Sequence, residues 1–114
     1  MAKNFIAHGE RLVVAAPYDR LSGQGAKVGS VFGVAEHDAL SGTDLVVVLE
    51  GIWELTKTDS QAWSVGAKIY WDDTNKAATT TASTNLLIGV AAEAVGGGAG
   101  LTLGKVLLTK AFTV

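Results

Sequence analysis

Apolar residues in this chain recur at every second position or in short β-branched runs, and nowhere keep the i, i+3, i+4, i+7 spacing of an amphipathic helix over a helix length. The pattern predicts strands. The first is Arg11 to Ala16 (RLVVAA), with extended chain from Asn4 to His8 as a possible lead-in, and it stops where Pro17 opens a loop through SGQG. The next is Lys27 to Ala35 (KVGSVFGVA), with Val28, Phe32 and Val34 on one face and Gly29 and Gly33 marking a bend or bulge. After the loop HDALSGTD comes Leu45 to Glu50 (LVVVLE), apolar enough to predict burial on both faces, and Gly51 separates it from Ile52 to Leu55. Thr58 to Ser64 is the one segment with room for a short helical turn, capped by Asp59 or Ser60.

The densest acid lies in GAKIYWDDTNKAATTTA, Gly66 to Ala82. Lys68, Tyr70 and Asp72 alternate with Ile69 and Trp71, and Asp73-Thr74-Asn75-Lys76 has turn chemistry before a threonine-rich return, so the stretch reads as a β-hairpin. Strands at Leu86 to Glu93 and Leu101 to Thr109 flank VGGGAG, a flexible connection. There is an internal echo: Phe32-Gly33-Val34-Ala35, an acid-containing loop and LVVVLEG resemble Ile88-Gly89-Val90-Ala91, a glycine-rich loop and KVLLTK. Two related strand pairs suit a sandwich or barrel with pseudo-symmetric halves.

Length adds that one core is available, because 114 residues fall in the range of a single domain. Fourteen glycines, one proline and abundant Val and Thr complete the expectation: a compact all-β domain over 1–114, barrel or sandwich, with Gly-rich loops. Nine basic and 11 acidic residues are scattered without the basic stripe of a nucleic-acid binder. With no cysteine, disulfides and thiolate metal sites are excluded, which fits folding in a reducing cytosol. No apolar run reaches the 18 or so residues of a membrane helix, and MAKNFIAHGER lacks the apolar core of a signal peptide. Neither a membrane nor nucleic acid is an expected partner.

Candidate chemistry fails on spacing. Read from Asp73 as a calcium loop, Asn75 fits but Ala77 and Ala78 do not, and adjacent carboxylates on a strand point to opposite faces rather than across a substrate. Glu36-His37-Asp38 lacks the ligand spacing of a zinc site. Gly100 to Lys105 is one residue short of a phosphate-binding loop, and no serine sits in GxSxG. No catalytic residue, metal ligand or cofactor is expected. Trp53, Trp63 and Trp71 are core or interface residues on this reading, or, alternatively, the stacking platform of a glycan-binding module.

MAKNF, VGSVFGVA, VVVLEGIWEL, AWSVGAKIYWDD and LLIGVAAEA, in that order, resemble the small capsid decoration, or cement, proteins of tailed bacteriophages and prophages. The most specific piece is Trp63 to Asp72 followed by Leu87 to Ala91. The resemblance implies a non-enzymatic β protein, made in the host cytoplasm, that docks as a homotrimer on the major capsid protein at the outside of an assembled virion head. On that basis Ala2, Lys3, Asn4, Phe5, Ile6, Ala7 and His8 are a candidate capsid-contacting arm, with a first strand of the domain's own sheet as the other reading. The alternative function is a small β-barrel displayed on a virion to bind glycan or host surface.

Overall fold

A computed structural model describes residues 10–108. Among them are nine strands and no helix: β1 (Arg11–Ala15), β2 (Gly25–Val28), β3 (Val31–Ala35), β4 (Asp44–Val48), β5 (Gly51–Thr56), β6 (Lys68–Asp72), β7 (Ala77–Thr79), β8 (Leu86–Ala91) and β9 (Leu103–Leu108). They form two curled antiparallel sheets, the first ordered β1-β4-β3-β2 and the second β5-β9-β8-β6-β7. A parallel bridge from Lys57 to Ala78 brings the free edge of β7 back toward the end of β5.

The expected strand from Lys27 to Ala35 is a hairpin instead, with Val28 opposite Val31. Gly29, at φ +58° in the first central position of the two-residue turn, makes the difference: the II′ turn matches strand twist and needs glycine there. Thr58 to Ser64 contains turns rather than a helical turn, because Ser60 adopts φ +57° and Asp59 accepts a hydrogen bond from the Gly100 amide, across the fold. The hairpin after Tyr70 and Trp71 forms as expected, pairing Trp71 with Ala78 and Asp72 with Ala77.

The first four strands of the second sheet repeat the order and register of the first, up to a shift between Ile69 and Tyr70. Across β1-β4-β3-β2 runs the row Arg11, Val48, Val34, Gly25, and across β5-β9-β8-β6 the row Ile52, Leu107, Val90, Lys68. The amide of Ala16 donates to Thr43, and that of its counterpart Lys57 donates to Thr102. The antiparallel bridge of Arg20 with Ala39 is matched by that of Trp63 with Val95. The echo between residues 32–35 and 88–91 is therefore one visible part of a duplicated four-strand unit.

Two buried clusters follow from this plan. In the first sheet Ala16, Ala26, Ala35, Leu45, Val47 and Leu49 pack together on one face. The other face of β3 sends Phe32 and Val34 into the cluster of the second sheet, against Trp71, Ile69, Val106 and their neighbours. Phe32 and Trp71 rings lie 4.9 Å apart, tilted by 48°, a favourable aromatic geometry. Phe32 and Val34 thus join the two sheets through a shared core.

Candidate functional site

Asp72 and Asp73 are neighbours in sequence with separate structural tasks. Asp72 Oδ1 accepts hydrogen bonds from the Thr74 and Asn75 amides at 3.0 and 3.2 Å, and Oδ2 accepts from Asn75 Nδ2 at 2.8 Å. The Asn75 side chain, foremost, holds its carboxyl below the usual carboxylate range. This is an Asx-type turn closing the β6–β7 hairpin.

Asp73 reaches the other sheet. Its Oδ1 accepts from the Tyr18 hydroxyl at 2.7 Å and from Trp71 Nε1 at 3.1 Å, while Lys76 Nζ stands 3.9 Å away and donates to the Asp73 carbonyl. Burial resists ionisation of Asp73, but the bonds from Tyr18 and Trp71 outweigh it and leave the carboxyl below its ordinary pKa. Burial, foremost, and then the bond to Asp73 push the Tyr18 phenol up. The Tyr18 ring also meets two cations, Lys76 at 4.3 Å and Arg20 at 4.8 Å from its centre, and its oxygen accepts from the Lys27 amide. These groups clasp a loop of the first sheet to the hairpin of the second.

Glu36, His37 and Asp38 likewise disperse. Glu36 pairs with Arg11 at 2.9 Å, Asp38 accepts from the Ser22 amide at 2.7 Å, and His37 Nε2 accepts from the Val46 amide at 3.2 Å. Its Nδ1 lies 3.0 Å from the Asp38 carbonyl oxygen. Among the described residues no three His, Cys, Asp or Glu side chains converge where a metal ion would fit. No helix there is long and apolar enough to cross a membrane.

Two tryptophans leave the stacking-platform reading without a surface. Trp71 and Trp63 are buried, their indole N–H groups donating to Asp73 and Gln61, and Trp53 is half-buried with its N–H on the Glu50 carbonyl. The reading of Trp63 and Trp71 as exposed stacking rings is corrected accordingly, since both have the burial and internal bonding of core residues, while Trp53 stays partly exposed. Residues Ala2 to His8, the candidate arm, lie outside the described residues.

A feature missed in the sequence is the pentapeptide D-x-L-S-G, present as Asp19 to Gly23 and again as Asp38 to Gly42. The two loops pair about a local twofold: Arg20 and Ala39 exchange both backbone bonds at 2.9 Å, Asp38 Oδ1 accepts from Ser22 N, and Asp19 Oδ1 accepts from Ser41 N, each at 2.7 Å. Gly23 and Gly42 hold matching positive φ of +88° and +85°. Between the loops lies a cleft of about 400 Å³ with Leu21 and Leu40 exposed at its rim. Comparing the chain with itself at a 19-residue offset exposes the repeat. Leu21 and Leu40 thus place apolar surface on two paired loops.

A family described as phage cement protein matches residues 6–108. No curated protein matches the chain. Among solved structures the chain is similar to the head fiber gp8.5 N base of bacteriophage phi29, at 13% identity and a TM-score of 0.49, over 91% of this chain and 97% of that one.

Proposed function

The chain belongs to the phage cement protein family, and from that premise we propose that it binds the outer surface of the assembled head as a homotrimer and stabilises the shell. A cement protein is a structural component of the phage head rather than an enzyme, and its place is the virion capsid. The observation that carries the finer reading is the match along residues 6–108, covering both sheets, in a molecule whose conspicuous acids are spent on turns and on the clasp between sheets. Such a body, acting as one β domain, has shape and repeated contact as its means of attachment. Many weak contacts with the major capsid protein, multiplied over the shell, add to a firm hold without any strong individual site.

Co-sedimentation with expanded and unexpanded heads tests this directly. Binding to the expanded shell, with a rise in the temperature at which heads release their genome, is the expected result; a protein that ignores both shells ends the proposal. The segment Ala2 to His8 enters as a capsid-contacting arm. Deleting residues 2 to 8 should abolish sedimentation with heads while leaving the solution mass and folding unchanged.

A further inference from the structure

The two sheets finish their edges differently. In the second, the end strands β5 and β7 approach one another through the Lys57 to Ala78 bridge and the bond from the Thr58 amide to the Ala78 carbonyl. In the first, β1 is an end strand, and among the described residues only β4 pairs with it. The Leu49 amide donates to the Glu10 carbonyl and the Ala16 amide to that of Thr43, with unbroken register between. Glu10, Leu12, Val14 and Ala16 therefore turn their backbone groups to β4, while Arg11, Val13 and Ala15 turn theirs outward. No proline, lysine or bulge guards this edge, and Arg11, its one charge, is held by Glu36 at 2.9 Å. Leu12 and Val13 are 42% and 61% exposed on it.

The sequence after β9 contains a strand for it. Val48 and Leu107 hold equivalent places, so Leu108 matches Leu49, and residues 110–114 (Lys-Ala-Phe-Thr-Val) fall on Gly51 to Leu55 of β5. Phe112 then stands for Trp53 and Val114 for Leu55. β5 follows β4 by two residues and becomes the end strand of the other sheet, so a β5-like segment after β9 reads as an end strand for a further sheet. Within the chain the place such a strand takes, beside β4, is already filled by β1. We propose that residues 110–114 of one copy add as a strand to the outward edge of β1 in a second copy. Five residues meet a five-residue strand, and main-chain bonds at Arg11, Val13 and Ala15 hold them, as in other strand additions. Each chain gives one surface and receives at another, a heterologous contact that can close a ring of three, whereas β1 against β1 would give only a twofold pair. The inference deepens the homotrimer reading above and rests on it, by naming the join between subunits.

The test compares the full chain with a variant lacking residues 109–114 and with Val13→Pro, which removes an outward amide that the internal ladder does not use. Sedimentation equilibrium gives the solution mass, hydrogen exchange the protection of the Val13 amide, and near-ultraviolet circular dichroism of the buried tryptophans a check on folding. The expected result is a multimeric wild type and association weaker by about tenfold or more in both variants. Protection at Val13 should rise with the multimer fraction and vanish on truncation. Should Val13→Pro fail to fold, the truncation carries the same test. A monomeric wild type, a multimer indifferent to both changes, or a Val13 amide protected in the monomer by the chain's own segment overturns the inference. Head binding is scored in parallel: a monomer that still sediments with heads sinks this join and leaves cementing intact, whereas a multimer weakened by both changes that ignores heads keeps the join and sinks cementing.

Discussion

Where the first sheet buries Leu45, the second has Gly104, and the Trp63 ring fills the space so closely that a β-carbon on Gly104 would stand 2.3 Å from it. Where the first has Ala16, the second buries Lys57, whose Nζ donates to the Thr58 and Leu101 carbonyls at 2.7 and 3.1 Å and lies 5.8 Å from the Trp63 ring centre. Ala26 corresponds to Ile69 by register. One strand plan therefore accepts two interiors, a small one of alanine, valine and leucine and a larger one of indoles with anchored polar ends. The second is the one that must also receive Phe32 and Val34, which accounts for its greater volume.

The sharpest way to break this comparison is to empty the larger core. Trp71→Ala removes the ring that contacts Phe32 and donates to Asp73, and should cost about 3–5 kcal/mol in urea unfolding. The matched pair Val47→Ala and Val106→Ala, both buried and equivalent in register, should cost about 2 kcal/mol each. A large inequality between them would show that the two interiors do not bear load alike.

Next come the matched glycines. A β-carbon at Gly89 would meet the Leu107 carbonyl oxygen at 2.1 Å, whereas at Gly33 the nearest atom is the Val47 side chain at 2.7 Å. Both alanine variants should lose about 1–3 kcal/mol, with Gly89→Ala at the upper end because backbone yields less than a side chain. Thermal midpoints read the order, and the reverse order would contradict the packing described.

The clasp is a smaller matter. Tyr18→Phe removes one hydrogen bond to a half-exposed carboxylate and should cost about 1 kcal/mol, and combined with Asp73→Asn the losses should fall short of their sum, since both variants act on that bond. Smallest is its pH dependence. Asp73 has a lowered folded pKa, so its contribution is present above the ordinary carboxylate value of 3.8 and is lost as pH falls through the folded value. Tyr18 has a raised one, so its share is present below 10.0 and is lost as pH climbs through its folded value. Tyr18→Phe should flatten both limbs of the stability profile, and an unchanged profile would show that the clasp does not contribute.

The all-β character was legible because Val, Ile and Thr alternate with polar residues in runs too short for helices, and the hairpin after Trp71 because its turn residues allow few alternatives. Gly29 was ambiguous: a glycine inside an apolar run reads equally as a bulge or a reversal, and only pairing of Val28 with Val31 decides between them. Asp59 or Ser60 reads as a helix cap in a local window, while the actual donor to Asp59, Gly100, is distant along the chain. Asp73 reads as a turn residue for the same reason, its bond to Tyr18 being invisible to any local window. Likewise the outward row on β9 shows in sequence only as alternation, and its exposure depends on which sheet lies behind it.

The unequal loops suggest where a passenger could ride. The connection from Ala35 to Asp44 is locked into its twin by mutual aspartate bonds, but its counterpart from Ala91 to Leu103 is three residues longer and includes Gly96, Gly97 and Gly98. At Gly96 and Gly98 only the Leu101 side chain comes within 4 Å of an added β-carbon, and at Gly97 only Ala62, all at ordinary contact distance. A foreign epitope spliced between Gly97 and Gly98 would lengthen a span that already departs from the shared blueprint, leaving the mirrored pair at the opposite sheet untouched.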